Sequence, residues 1–127
     1  PKEKAAKPPL RQILIVEDER PLAHALELKL SHEGFTVHVA LTGTEGAKEA
    51  LTGKYAIILL DIIMPELDGF ALLQQLKERK IKTPVIVLSN LGQEEDKAKA
   101  NDLGAKEYFV KANTPIVDII RRVKALT

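Results

Sequence analysis

The sequence predicts an α/β domain, a parallel sheet with helices on both faces, and three observations predict it. Short runs such as Ile13-Leu14-Ile15-Val16, Tyr55-Ala56-Ile57-Ile58-Leu59-Leu60 and Val85-Ile86-Val87-Leu88 are apolar at consecutive positions and rich in β-formers, the mark of strands buried on both faces. Segments of helical spacing separate them, so that five strands alternate with five helices. That alternation implies parallel pairing through right-handed crossovers. The third observation is where the runs stop: they give way to Glu17-Asp18, Asp61, Ser89 and Lys111. In a parallel sheet the carboxyl ends of all strands share one edge, where open α/β folds place their ligands.

Residues 1–10 (PKEKAAKPPL) are rich in lysine and proline, lack apolar periodicity and read as a flexible tail or linker, leaving residues 11–127 for the domain. After the first strand, Pro21 suits the first turn of a helix and Glu17-Asp18-Glu19 its positive end. Leu22, Ala25, Leu26 and Leu30 form one helical face, Leu28 lies off it, and Gly34 ends the helix. Phe35–Ala40 alternates like a strand with one less buried face. Thr42–Leu51 is a short helix with Ala47, Ala50 and Leu51 inward, ended by Gly53.

The strand that follows stops at Asp61. Pro65 ends regular structure there, and Asp68-Gly69 is a turn before a helix over Phe70–Arg79 with Phe70, Leu72, Leu73 and Leu76 as its apolar set. Thr83-Pro84 precedes the fourth strand. Gln93–Leu103 is the most polar helix, with Ala98 and Leu103 among few apolar residues, and Gly104 closes it. Tyr108–Val110 is the fifth strand. Thr114-Pro115 starts the last helix, Thr as cap and Pro in the first turn, with Ile116, Ile119, Ile120 and Val123 on its inner face.

Composition narrows the function. The 127 residues suit one domain with one core, and 45% hydrophobic and 29% charged residues are those of an ordinary globular protein. A net charge of +1 gives no reason to expect nucleic acid or an acidic surface as partner. The absence of cysteine excludes disulfides, thiolate metal sites and cysteine nucleophiles. No apolar run approaches the ~20 residues of a membrane span, and no signal-peptide core is visible. Cytoplasmic residence, with no membrane partner, is therefore the default expectation.

The strand ends bring three carboxylates, a hydroxyl and an ammonium to one crevice. Two like charges ~4 Å apart repel by roughly 4 kcal/mol at an effective dielectric of 20, so a proton is retained or a cation is bound. Hard carboxylate oxygens without histidine or cysteine suit Mg²⁺. Such an ion beside Lys111 and Ser89 makes a pocket for a phosphoryl group, and one carboxylate can act as nucleophile to give an aspartyl-phosphate.

With these residues the chain resembles the receiver domain of two-component response regulators, from Arg11 to about Leu126. The matching motifs are Glu17-Asp18, Asp61 with Met64-Pro65 and Asp68-Gly69, Ser89, and Lys111, each at its strand end and in order. The resemblance implies a flavodoxin-like, doubly wound sheet of order 2-1-3-4-5, an order for which a member of this family is a standard example. It implies Asp61 as phosphoacceptor, with Ser89 and Lys111 on the phosphoryl group. Asp18, Asp61, the Ile63 backbone carbonyl and, through water, Glu17 would hold Mg²⁺. Ser89 and Tyr108 fall at switch positions. The donor would be a histidine kinase or phosphotransfer protein. The surface reshaped would be that of the fourth helix, fifth strand and fifth helix, with which a homodimer is compatible. The output partner is unnamed, and no output domain fits in this sequence.

The chain would be a phosphoacceptor regulatory domain and not an enzyme, with self-catalysed phosphoryl transfer and slow autodephosphorylation. The slowness is expected because Ile63 and Leu91 are apolar where the family tends to position a hydrolytic water. Three departures stand out: Glu17 in place of the more frequent Asp, Asn90 where a small residue is usual, and Ala112 where a cis-linked proline is usual. A cis bond before a non-proline residue costs ~3–4 kcal/mol, so Lys111-Ala112 is expected to be trans, or cis only under strain.

Other classes are weighed on single positions. An aspartyl-phosphate hydrolase needs a second acid two residues after the nucleophile, where this chain has Ile63. A flavin carrier needs a hydroxyl- and glycine-rich loop where Glu17-Asp18-Glu19 stand, and those acids repel a phosphate. A receiver-like interaction module that has lost phosphorylation stays open through Asn90 and Ala112. His24, His32 and His38 lack metal-ligand spacing and read as surface residues, as do Lys97, Lys99, Arg121 and Arg122. Leu28 is either a stray surface group or an addition to the face on which the family docks its kinase.

Overall fold

The computed structural model describes residues 11–127; the tail expected over residues 1–10 lies outside the described residues. Five strands, β1 (Gln12–Val16), β2 (Thr36–Ala40), β3 (Ile57–Leu60), β4 (Val85–Ser89) and β5 (Glu107–Val110), form one sheet of order β2-β1-β3-β4-β5. All neighbouring pairs are parallel. Between and after them run α1 (Arg20–His32), α2 (Gly43–Ala50), α3 (Gly69–Glu78), α4 (Glu94–Asp102) and α5 (Ile116–Leu126).

Successive strand residues point to opposite faces, so the consecutive apolar runs supply two cores. Ile13, Ile15, Ile57, Leu59, Ile86 and Leu88 pack with Leu26 and Leu30 of α1 and Ile119, Ile120 and Val123 of α5. Leu14, Val16, Ile58, Leu60, Val85 and Val87 pack with α2, α3 and Ala100 of α4. Chain ends and turns follow side-chain chemistry: Thr42 accepts from the Glu45 N–H at 3.1 Å and Asp68 from the Ala71 N–H at 2.8 Å, capping α2 and α3.

Three local expectations are corrected. On α1, Ala23 is buried and Ala25 only half-buried; Ala23, Leu26 and Leu30 are spaced i, i+3, i+7 and make the narrower stripe. On α4, Ala98 is exposed and Ala100 buried. Ala100 shares a face with Leu103 three residues on, whereas a separation of five turns Ala98 away. Thr114 does not cap α5: its hydroxyl donates to the Val110 carbonyl at 2.9 Å, and Pro115 occupies the cap position without a side-chain bond. Leu28 lies off the buried stripe as expected, 51% exposed.

Two glycines fix the loop after β3. The Gly43 N–H donates to the Pro65 carbonyl at 3.2 Å, and a Cβ at Gly43 would collide with the Leu67 backbone. A Cβ at Gly69 would sit 2.7 Å from the Ile62 Cα and 2.8 Å from the Asp61 carbonyl oxygen. The start of α2 and the start of α3 thus close on the segment that carries Asp61.

Candidate functional site

Register builds the site. Val16 pairs with Leu60, so Glu17 and Asp61 leave the sheet side by side, their N–H groups still bonded to the Ala40 and Val16 carbonyls at 3.0 and 2.9 Å. Ser89 is paired with Val110, so Lys111 leaves β5 next to the end of β4. Among the described residues the buried polar or charged ones are Glu17, Asp61 and Ser89, all at strand ends.

Lys111 reaches across the edge and ties it together. Its Nζ lies 2.9 Å from Asp61 Oδ2, 2.8 and 3.0 Å from the two Glu17 oxygens, and 3.0 Å from Glu19 Oε1. Asp61 Oδ1 accepts the Ile63 N–H at 3.2 Å, and Glu17 Oε2 accepts the Glu19 N–H at 3.0 Å. Glu17, Asp61 and Lys111 each hold their proton more tightly than usual. Burial, with Asp61 beside it, pushes Glu17 up to about 7 against the pull of Lys111. Burial also raises Asp61, Lys111 opposing. Burial would lower Lys111, but the carboxylates of Glu17, Asp61 and Glu19 outweigh it and hold the ammonium above the usual lysine range.

A divalent cation fits what is left over. One oxygen each of Glu17, Asp18 and Asp61 lies within 4.8 Å of the others. Glu17 Oε1, fully buried, has no directed hydrogen bond among the described residues despite its charge contact with Lys111. A set of hard oxygen donors in which three carboxylates converge suits a small cation that keeps its waters.

The predicted residues thus divide. Glu17, Asp18, Asp61 and Lys111 meet. Ser89 and Tyr108 are engaged by the β4–α4 loop: Ser89 Oγ accepts the Leu91 N–H at 3.2 Å, and the Tyr108 hydroxyl donates to the Leu91 carbonyl at 2.6 Å. Burial raises the Tyr108 phenol, which favours the protonated donor. Ile63 is held by its N–H, while the residue is 56% exposed at the rim. Leu91 instead leans on the core beneath α2, α3 and α4, so of the two apolar flanks Ile63 is the one at the surface. No peptide bond among the described residues is cis, so Lys111-Ala112 is trans, and Lys111–Asn113 forms a 3₁₀ turn. Sequence reasoning set Glu19 at the positive end of the first helix and gave it no contact with Lys111. Its position directly after Asp18 was the available signal, but reach toward Lys111 is a property of the loop, which periodicity does not report.

The family model for the response regulator receiver domain matches residues 13–124. The chain is 39% identical over 113 residues to the uncharacterized transcriptional regulatory protein YkoG of Bacillus subtilis, covering 89% of this chain and 49% of that protein. It is 39% identical over 115 residues to the transcriptional regulatory protein SrrA of Staphylococcus aureus, covering 91% and 47%. The chain therefore spans about half the length of these relatives. Among solved structures, a Francisella response regulator receiver domain superposes with TM-score 0.85 at 34% identity, covering 91% of this chain and 95% of that one. The Thermotoga maritima response regulator TrrA, in complex with Mg²⁺-BeF, superposes with TM-score 0.79 at 27% identity, covering 93% and 100%.

Proposed function

The chain belongs to the response regulator receiver domain family, and we propose that it acts as the phosphoacceptor switch of a two-component phosphorelay, with Asp61 taking the phosphoryl group. One observation carries this: Asp61 Oδ2 meets Lys111 Nζ at 2.9 Å beside Glu17 and Asp18. Nucleophile, cation for the phosphoryl oxygens and oxygen ligands for a metal share one edge. An Asp61 oxygen attacks the phosphorus of a phosphohistidine on a kinase or phosphotransfer protein. The O–P bond forms, the N–P bond breaks, and the electron pair stays on the imidazole nitrogen, which takes a proton from solvent. Lys111 and Ser89 donate to the phosphoryl oxygens as charge develops. Asp18 and Asp61, the Ile63 carbonyl and, through water, Glu17 would hold Mg²⁺, whose charge would balance the phosphoryl oxygens and the carboxylates. The Mg²⁺-BeF complex of the Thermotoga relative supports that choice of metal.

On this reading the domain is a substrate and switch that catalyses its own phosphorylation and slow dephosphorylation, and not an enzyme acting on a separate substrate. Ser89 and Tyr108 bond the same residue, Leu91. A phosphoryl group that draws Ser89 therefore moves the loop to which Tyr108 is tied, and so the face of α4, β5 and α5. That face is where an output partner or a second copy would read the signal; no direct contact with nucleic acid or membrane belongs to the domain's role, and cytoplasmic residence is consistent with it. Residues 11–127 are the domain and residues 1–10 a tail or linker. The test is a mass measurement after incubation with acetyl phosphate: one phosphoryl group, gained only with Mg²⁺. No gain would leave the interaction module that has lost phosphorylation.

Two further results are expected. A cation binds the ionised form of Glu17, whose carboxyl burial pushes up to about 7 in the folded protein. Mg²⁺ affinity should therefore rise from about pH 6 to about pH 8, by ~10-fold at most for one proton displaced. Asp18→Ala should weaken binding at both ends of that range. A calorimetric titration that is flat with pH would uncouple Glu17 from the metal. Second, the phosphorylated form should be long-lived, because Ile63 offers the rim no group to hold a water in line with the Asp61 O–P bond. Ile63→Glu should shorten its half-life, by ~10-fold or more where positioning is restored; slower decay in that variant would refute the account.

A further inference from the structure

We propose that Glu19 is a positioning residue of this site, a stand-in for a phosphoryl oxygen that holds Lys111 until the phosphoryl group arrives. The inference rests on the reading of Asp61 as phosphoacceptor and starts from a count of donors. A lysine ammonium has three N–H groups and no more. In this structure they are spent on three carboxylates: Asp61 through Oδ2 at 2.9 Å, Glu17 through both oxygens at 2.8 and 3.0 Å, and Glu19 through Oε1 at 3.0 Å. Lys111 has no donor free for an incoming phosphoryl oxygen, so one of the three bonds must break first.

The three differ in what breaking them exposes. Glu17 has a side chain 1% exposed, and its charge, parted from Lys111, stays buried. Asp61 is 6% exposed and is the group that must stay in place to receive the phosphoryl group. The Glu19 side chain is 52% exposed, so its carboxylate returns to water at little cost. Glu19 is therefore the partner that yields. Its oxygen marks a place on Lys111 that a phosphoryl oxygen takes over, and its charge stands at the entrance while it does so.

Two consequences separate this role from simple tethering. Removing the charge speeds phosphorylation, and it does so more for a donor of higher negative charge. Removing the contact frees Lys111 before any donor is present. The experiment compares wild type, Glu19→Gln and Glu19→Ala at saturating Mg²⁺, with acetyl phosphate (a dianion) and with phosphoramidate (net charge one lower). The expected result is a rate increase of about two- to fivefold with acetyl phosphate, from the size of one exposed charge interaction, and a smaller increase with phosphoramidate. The Lys111 ammonium hydrogens, followed by ¹⁵N NMR in the unphosphorylated protein, should exchange faster in Glu19→Ala, which removes the acceptor, than in wild type. A rate unchanged or lowered, an equal gain with both donors, or unaltered ammonium exchange would overturn the proposal. Failure of wild type itself to label on Asp61 would overturn the phosphoacceptor reading, and this inference with it. Labelling of wild type without a gain in the variants overturns this inference alone.

Discussion

Asp61→Asn is expected to gain no phosphate mass under conditions where the wild-type protein gains one phosphoryl group. The substitution is nearly isosteric, and the site is built to hold that shape. Oδ1 accepts the Ile63 N–H at 3.2 Å, a bond an amide oxygen can keep, and the residue is 5% exposed between fixed strand ends. What is lost is the anionic oxygen that attacks phosphorus, together with one ligand oxygen of the acidic cluster. Folding should survive, because removing one of several clustered carboxylates relieves repulsion. Thermal unfolding of the variant is the control for that. The competing acceptor is Asp18, exposed and within the same cluster. Undiminished labelling of Asp61→Asn, mapped to Asp18, would reject the assignment of the nucleophile while leaving the family intact.

Why the edge was legible and parts of the scaffold were not is a matter of which signals are local. A strand buried on both faces leaves an unbroken apolar run, so its end is visible as the first charged residue; Asp61 is found in this way, Lys111 by the shorter run Tyr108–Val110 of the half-buried edge strand β5, and parallel topology alone brings them together. The order of the strands came from family resemblance, since nothing in the runs says which neighbour β1 takes. On α4, polar almost throughout, the stripe consists of Ala100 with Leu103 against the sheet, and two alanines two residues apart are too weak a signal to choose between. Gly43 and Gly69 read as a helix start and a turn. Their lack of a side chain matters because of the loop that closes on them, which is tertiary information. Glu19 is the same case: its chemistry was in view, its partner was not.

Replacing Lys111 with Met should separate metal binding from chemistry. Lys111 is the ammonium on Glu17 and Asp61, with 10% of its side chain exposed. Without it two buried carboxylates face each other, and breaking a buried pair from one side costs ~3–5 kcal/mol. The sign with pH follows from Glu17. Its folded value is already raised to about 7, above the ~4.3 of an unfolded chain, and loss of the ammonium raises it further. A carboxyl raised on folding contributes stability below its unfolded value and loses it as pH rises through the folded one. Lys111→Met should therefore fall furthest below wild type at about pH 8 and recover toward about pH 5, where Glu17 is protonated. Mg²⁺ should restore stability too, and should bind more tightly than in wild type, since the cluster has lost its resident cation. Phosphorylation by acetyl phosphate should nonetheless slow by ~10²–10³, the usual effect of removing one donor to a developing charge. Chemical denaturation across pH, calorimetry and labelling rates give the three readouts. A variant that binds Mg²⁺ more tightly and labels as fast as wild type would show that Lys111 serves only to balance the resting cluster.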